Sequence, residues 1–333
     1  GGAGGSGGGE GAGDAAAAEA SPKAGDDTQH EHPYFGYGSN MAASGLALKG
    51  VTSTRFAPAV LPRFRLVFNL AVRKYLVEPS FANVEPSPPG ATGWDAEVHG
   101  VLHWFASDAD LRKVDEIEAI YERRLLPVRD YEGRELMAWV YVLATIPESM
   151  VGVADLHEQP PSRRYLDLLV RGAREASLDS AYVAYLESCP CTPPPRPRLS
   201  PAQAATAASR SVSLADIEAT AANMPEGAKK ATGPVLCCMR GYVFDVQDYV
   251  HPVVLRWQWS GRDGTTFAAK KHSPLADGAD MSDAQKAYVE AVVAEWLMYY
   301  KLVGSHRLEE YDAMFGGPLP VDAEEKSEVP ASL

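Results

Sequence analysis

Two short segments carry residue types that could do acid–base chemistry on a small anionic substrate. The first is Tyr34-Phe35-Gly36-Tyr37-Gly38-Ser39-Asn40-Met41, an aromatic run that breaks into a turn of small polar residues. Glycine admits backbone angles that a Cβ forbids, so N–H groups around Gly38, Ser39 and Asn40 can converge on one concavity and hold an anion. The second is Val114-Asp115-Glu116-Ile117-Glu118-Ala119-Ile120-Tyr121, which gathers Asp115, Glu116 and Glu118 at one helical end. A carboxylate drawn into a partly apolar pocket has its pKa raised toward neutrality, which suits proton abstraction near pH 7. Each segment also has a plain reading: an ordinary strand end, and a solvated acidic helix face.

The elements that must position them read as a mixed α+β pattern between Pro33 and Leu186. Short β-like runs fall at Tyr34–Tyr37, Phe64–Phe68, Phe81–Val84, Val98–Trp104, Leu125–Val128 and Met137–Leu143. Helices are expected at Asp108–Ile120, behind the N-cap candidate Ser107, and at Tyr165–Glu175. From Ser188 to Ser211 the composition changes to CPCTPPPRPRLSPAQAATAAS, whose prolines favour an extended spacer. Beyond it the sequence predicts a short helix near Leu214–Ala222, a strand at Val235–Val246 and a long amphipathic helix from Asp283 to about Val303. The expected organisation is a disordered Gly/Ala-rich segment 1–32, a first domain 33–188, a linker 189–211, a second domain 212–310 and a tail 311–333.

With 333 residues and 46% hydrophobic content, the chain is long enough for two ordinary cores. A net charge of −13 argues against a sequence-independent nucleic-acid binder and against anionic membranes. Cys189 and Cys191, and Cys237 and Cys238, form two tight pairs that match neither a disulfide framework nor CxxC zinc spacing, which fits a reducing compartment. His99 and His103 lie roughly 13 Å apart if they share one strand, too far for one metal ion, and no metal is expected. The longest apolar stretch, Val292–Val303, is interrupted by Glu295 and Lys301, so it does not read as a membrane span. The sequence opens without Met, as a processed form would, and both the cytoplasm and an organelle such as the chloroplast remain open as locations.

The YGSN turn, followed by VDEIEA, resembles the γ-glutamylcyclotransferase family, with further matches in the family's order. These are FRLVFN (Phe64–Asn69), FANVEPSP (Phe81–Pro88), VHGVLHWF (Val98–Phe105), the strand Ala138–Val142 and PSRRYLDLLVRGARE (Pro161–Glu175). The resemblance covers roughly residues 33–188 and implies a mixed β-barrel with flanking helices. It also implies a cofactor-free cyclisation of a γ-glutamyl compound to 5-oxoproline with release of an amine or amino acid. Glu118 would then be the general acid/base, and Tyr37, Gly38, Ser39, Asn40, Tyr141 and Tyr165 would bind substrate. Ala119 stands where the family usually has Gly, so the turn after the carboxylate is expected to be tighter or shifted. The alternative is a catalytically inactive binding or scaffold protein on the same fold.

Residues 212–307 resemble cytochrome b5-like haem/steroid-binding domains of the membrane-associated progesterone receptor type. The likeness rests on the GYVFDV run at Gly241–Val246, the Gly261–Thr265 turn and the final helix with Trp296 and Tyr300. It implies a small α+β domain. Haem is another matter: the usual tyrosine ligand has no clear counterpart, Tyr249 being the nearest candidate. His251 and His272 match paired axial histidines, but Val253 and Val254 replace the glycines that would let backbone approach a macrocycle, and the balance is against haem. Trp257 and Trp259, two apart on an expected strand, would share one face able to meet an apolar ligand or a protein partner.

Overall fold

The computed structural model describes residues 32–323 apart from 73, 250, 251 and 277. The expected disordered segment lies outside the described residues except for His32, as does the end of the C-terminal tail. The first half runs β1 (Tyr34–Gly36), α1 (Ala43–Leu48), β2 (Ser53–Pro62), β3 (Phe64–Val72), β4 (Phe81–Pro86) and β5 (Glu97–Phe105). It continues α2 (Asp108–Ile117), β6 (Glu122–Asp130), β7 (Glu135–Val142), β8 (Ala154–Leu156), α3 (Arg163–Glu175) and α4 (Ser180–Ser188). The second half comprises α5 (Pro201–Ser209), α6 (Leu214–Ala219), β9 (Leu236–Met239), β10 (Tyr242–Asp245), α7 (Pro252–Val254), β11 (Arg262–Asp263), α8 (Thr265–His272), α9 (Asp283–Tyr299), β12 (Lys301–Ser305) and α10 (Leu308–Phe315).

Five strands close a barrel in the order β1-β5-β2-β6-β7, and β4-β3-β8 form a separate sheet. Phe35, Leu61, Leu102, Leu169 and Leu186 are fully buried in the core that barrel and α3–α4 share. This is the mixed α+β architecture with a closed barrel that the motifs led one to expect. Strand β2 was not foreseen; it pairs with β5 along its length but with β6 only at Ala59 and Val60, so Pro58 lies outside that second pairing.

In the second half, a four-stranded sheet in the order β11-β9-β10-β12 packs against α9. Trp296 is buried there, edge-on to Phe244 and Trp259 with ring centroids 5.5 and 5.3 Å away. Several expectations are corrected here. The run Val235–Val246 is a hairpin, not one strand: Arg240 and Gly241 take φ of 52° and 81° and reverse the chain. The helix from Asp283 stops at Tyr299, because Lys301–Ser305 is drawn into the sheet beside β10. The spacer is not wholly irregular: its prolines end at Pro201, which takes the first helical turn behind a Ser200–Gln203 capping box, and an Ala-rich helix follows. Trp257 and Trp259 share no face, since Leu255–Trp259 is a π-helical turn that leaves Trp257 66% exposed and Trp259 buried. Among the described residues no helix is long and apolar enough to cross a membrane.

Candidate active site

The turn and the acidic segment meet. β1 ends at Gly36, where an added Cβ would lie 2.8 Å from the Asn40 carbonyl oxygen, so the chain folds back on itself only with glycine there. The reversal is closed by Met41 N–H donating to the Gly38 carbonyl at 3.1 Å. Helix α3 presses on it from outside: a Cβ on Gly172 would stand 2.9 Å from that of Met41. Opposite, α2 ends one turn earlier than expected, because Glu118 is its C-cap, bonded to the Val114 carbonyl at 2.9 Å. Ala119 is not among the residues with positive φ, so this turn does not require the glycine usual at that position.

The three clustered carboxylates divide by environment. Asp115 accepts the Tyr141 hydroxyl at 2.7 Å and the Arg123 guanidinium at 3.2 Å, a structural role. Glu116 is exposed. Glu118 turns into the cavity, where Asn40 Nδ2 donates to its Oε1 at 2.5 Å, and Lys49 Nζ donates to Asn40 Oδ1 at 2.5 Å. Asn40 is 1% exposed, so a buried amide links the Lys49 ammonium at the surface to the Glu118 carboxyl. Burial pushes the Glu118 carboxyl up to about 7, against the opposing pull of the Lys49 ammonium and the Asn40 amide. Lys49, at the end of α1 and nine residues past Asn40, was missed in the sequence, where a lone cation gives no sign of the partner it meets.

Around this pair lies a cavity of about 550 Å³ whose walls include Tyr37, Gly38, Ser39, Asn40, Tyr141 and Tyr165, so every expected substrate-contact residue borders it together with Glu118. Tyr37 donates to the Tyr141 carbonyl at 2.6 Å, tying β1 to β7. The hydroxyl of Tyr165 accepts the Ala82 N–H at 3.2 Å and faces the Ser39 backbone, while Tyr121 donates to the Ala82 carbonyl at 2.9 Å. Two tyrosines thus hold the first residues of β4 against the turn. Tyr121, three past Glu118, and Tyr34 also line the cavity and were not singled out from sequence. His103 is held as a neutral core imidazole, pushed down to about 4 by burial and bonded to the Met41 carbonyl at 3.2 Å.

One wall reaches the second half. Arg164 of α3 borders the cavity, and its Nη1 donates to Glu78 Oε1 at 2.6 Å, its Nη2 to the Lys271 carbonyl at 2.7 Å. The candidate haem ligands do not gather in comparable fashion. Tyr249 is buried, stacked on Tyr300 with centroids 5.9 Å apart and flanked by Tyr75 and Trp259, beside a separate cavity of about 280 Å³. His272, at the end of α8, packs on Tyr288 and is not among the residues lining that cavity, and His251 lies outside the described residues. Tyr249 and His272, the two described candidates, therefore do not face one cavity. No group of three or more His, Cys, Asp or Glu suited to a metal occurs among the described residues.

Comparison with known proteins finds similarity over part of the chain. Two solved structures, an uncharacterized Homo sapiens protein and a gamma-glutamyl cyclotransferase, are each 24% identical, cover 48% of this chain and 89% of their own, and give TM-scores of 0.41 and 0.40. Gamma-glutamyl cyclotransferase aclK of Aspergillus oryzae is 27% identical over 186 residues, 52% of this chain and 67% of that protein. The corresponding gliK protein of Aspergillus fumigatus is 27% identical over 184 residues, 49% of this chain and 63% of that protein. Gamma-glutamyl cyclotransferase verK of Clonostachys rogersoniana is 40% identical over a shorter 68 residues, 20% of this chain and 37% of its own. Residues 97–186, the stretch from β5 through Glu118 to α4, match the model of the AIG2-like family.

Proposed function

We propose that the first half, residues 33–188, is a γ-glutamylcyclotransferase that closes a γ-glutamyl compound to 5-oxoproline and releases its amine. The observation that carries this reading is the 2.5 Å contact between Asn40 of the turn and the Glu118 carboxyl, which joins the anion-holding and proton-moving parts at one cavity. The names of the curated relatives support the same reaction class.

The chemistry needs few parts. The substrate's α-nitrogen forms a bond to its own γ-carbonyl carbon, and the amide C–N bond to the departing amine breaks. Glu118 takes the proton that the α-ammonium loses and returns it to the departing nitrogen, a shuttle suited to a carboxyl near 7. The turn at Gly38–Asn40 holds the α-carboxylate or polarises the γ-carbonyl, and Tyr37, Tyr141 and Tyr165 fix the walls so that nucleophile and carbonyl meet in attack geometry. No cofactor takes part. The second unit, residues 212–310 past the 189–211 connection, acts in this reading as a support for the Arg164 wall; its cytochrome b5-like motifs are given no ligand role.

The test is 5-oxoproline release from a γ-glutamyl dipeptide panel by the full chain. Glu118→Gln is expected to abolish it; a variant that turns over at the wild-type rate overturns the assignment, and a wild-type protein inert toward the whole panel favours a binding role for the fold.

A further inference from the structure

The cavity has two unlike ends. At one stand the polar groups of the Gly38–Asn40 turn, Lys49 and Glu118. At the other, Leu70 and Val72 of β3, Phe81 of β4, Ile117, Ile120 and Leu168 make an apolar wall, with Arg164 beside it. At its rim Leu48 is 90% exposed and Ile117 37% exposed, so two large aliphatic side chains stand in water at the opening of the same cavity. One exposed leucine means nothing; two beside an apolar wall leave surface that a ligand can cover. A volume of about 550 Å³ also exceeds what a glutamyl group needs, lying in the range of pockets that bury drug-sized ligands.

Charge gives a second carboxylate no favoured place at the apolar end. A γ-glutamyl amino acid carries a second carboxylate on its departing amine, which would need a cation at the apolar end. The lining cation nearest α8 is Arg164, and it is committed: Glu78 neutralises it at 2.6 Å and the Lys271 carbonyl takes its other edge. Lys49 is engaged by Asn40 at the polar end. A carboxylate set against Leu70, Val72 and Phe81 would lose hydration without a described partner to replace it.

We propose that this cavity selects γ-glutamyl compounds whose departing amine carries a bulky apolar group and does not require a carboxylate there. The selection rests on the cyclisation proposed above. The glutamyl end is recognised by fixed polar groups, and the amine end by buried apolar area alone.

Three substrates read this out with the full chain: γ-glutamylglycine, γ-glutamylphenylalanine, and γ-glutamylphenethylamide, which is the phenylalanine compound without its carboxylate. We expect kcat/KM to rise about tenfold or more from glycine to phenylalanine, the discrimination an apolar pocket gives for added hydrocarbon, and loss of the carboxylate to leave it unchanged or raise it. Leu48→Ser, at an exposed rim position that folding does not depend on, should lower the phenylalanine-to-glycine ratio. A preference for the glycine compound, or a tenfold loss on removing the carboxylate, overturns the proposal while leaving cyclisation standing. If none of the three yields 5-oxoproline, the cyclisation reading fails separately. Calorimetric binding of the same compounds to Glu118→Gln then still ranks them, and equal affinities overturn the selection.

Discussion

The carboxylate of Glu295, in α9 of the second half, accepts the backbone N–H of Leu76 at 2.7 Å and that of Val77 at 3.1 Å in the β3–β4 loop of the first. Val77 itself is buried in the second half's core. Burial pushes this carboxyl up to about 7, against those two N–H donors and the Lys271 ammonium. Its ordinary value is 4.5, so between there and about 7 the folded chain binds a proton that the unfolded chain has released, and stability falls as pH rises through that window. Each unit of difference corresponds to roughly 1.4 kcal/mol. Glu295→Gln keeps an oxygen for the two N–H groups and removes the titration, so its unfolding free energy should decline less than wild type across this window. Parallel denaturation curves from about pH 5 to 8 measure it, and equal slopes for the two proteins would sink the idea.

Glu118→Gln separates chemistry from architecture. The amide retains the shape that meets Asn40 and removes the group that carries the proton. Turnover should fall by about 10²–10⁴-fold, the usual share of a positioned acid/base. Because the wild-type carboxyl is raised by burial, removing its charge should leave the melting temperature unchanged or raise it. Loss of activity together with an unfolded circular dichroism spectrum would make the residue structural instead.

The site was legible in the sequence where chemistry demands particular residue types side by side. Gly38, Ser39 and Asn40 announce a turn, and three carboxylates at a helix end announce a candidate base. What no spacing told was which acid faces inward: Asp115 and Glu118 are separated by their partners, Tyr141 and Arg123 on one side and Asn40 on the other. Lys49 and Arg164 escaped notice for the same reason, since a lone cation in sequence says nothing of the carboxyl or carbonyl it meets. In the second half, patterns of length misled. Arg240 and Gly241 hid a hairpin inside one apolar run, and the apolar end of α9 belongs to a strand, because tertiary pairing overrides local periodicity.

The second half is expected to be colourless. Its best placed haem candidate, Tyr249, is enclosed by the rings of Tyr75, Trp259 and Tyr300 at centroid distances of 6.3, 6.4 and 5.9 Å, where a macrocycle would have to displace them. Freshly purified full chain should show no Soret band, and titration with haem should give no saturable one. A saturable band that disappears in Tyr249→Phe or His251→Ala would contradict this.

Lys49 sets where the proposed reaction turns on. Its ammonium, through Asn40, holds the Glu118 carboxyl below the value that burial alone would give, and that carboxyl comes to about 7. A base must be ionised before it can take a proton, so kcat/KM should drop as pH falls below about 7, by tenfold per unit once the carboxyl is largely protonated. Lys49→Met removes the positive charge and keeps the aliphatic stem. The Glu118 pKa must then rise, moving the acidic limb to higher pH, and activity at pH 7 should fall while that on the alkaline plateau recovers. A pH–rate profile of the two proteins distinguishes this from damage to substrate binding, which would lower the plateau without moving the limb.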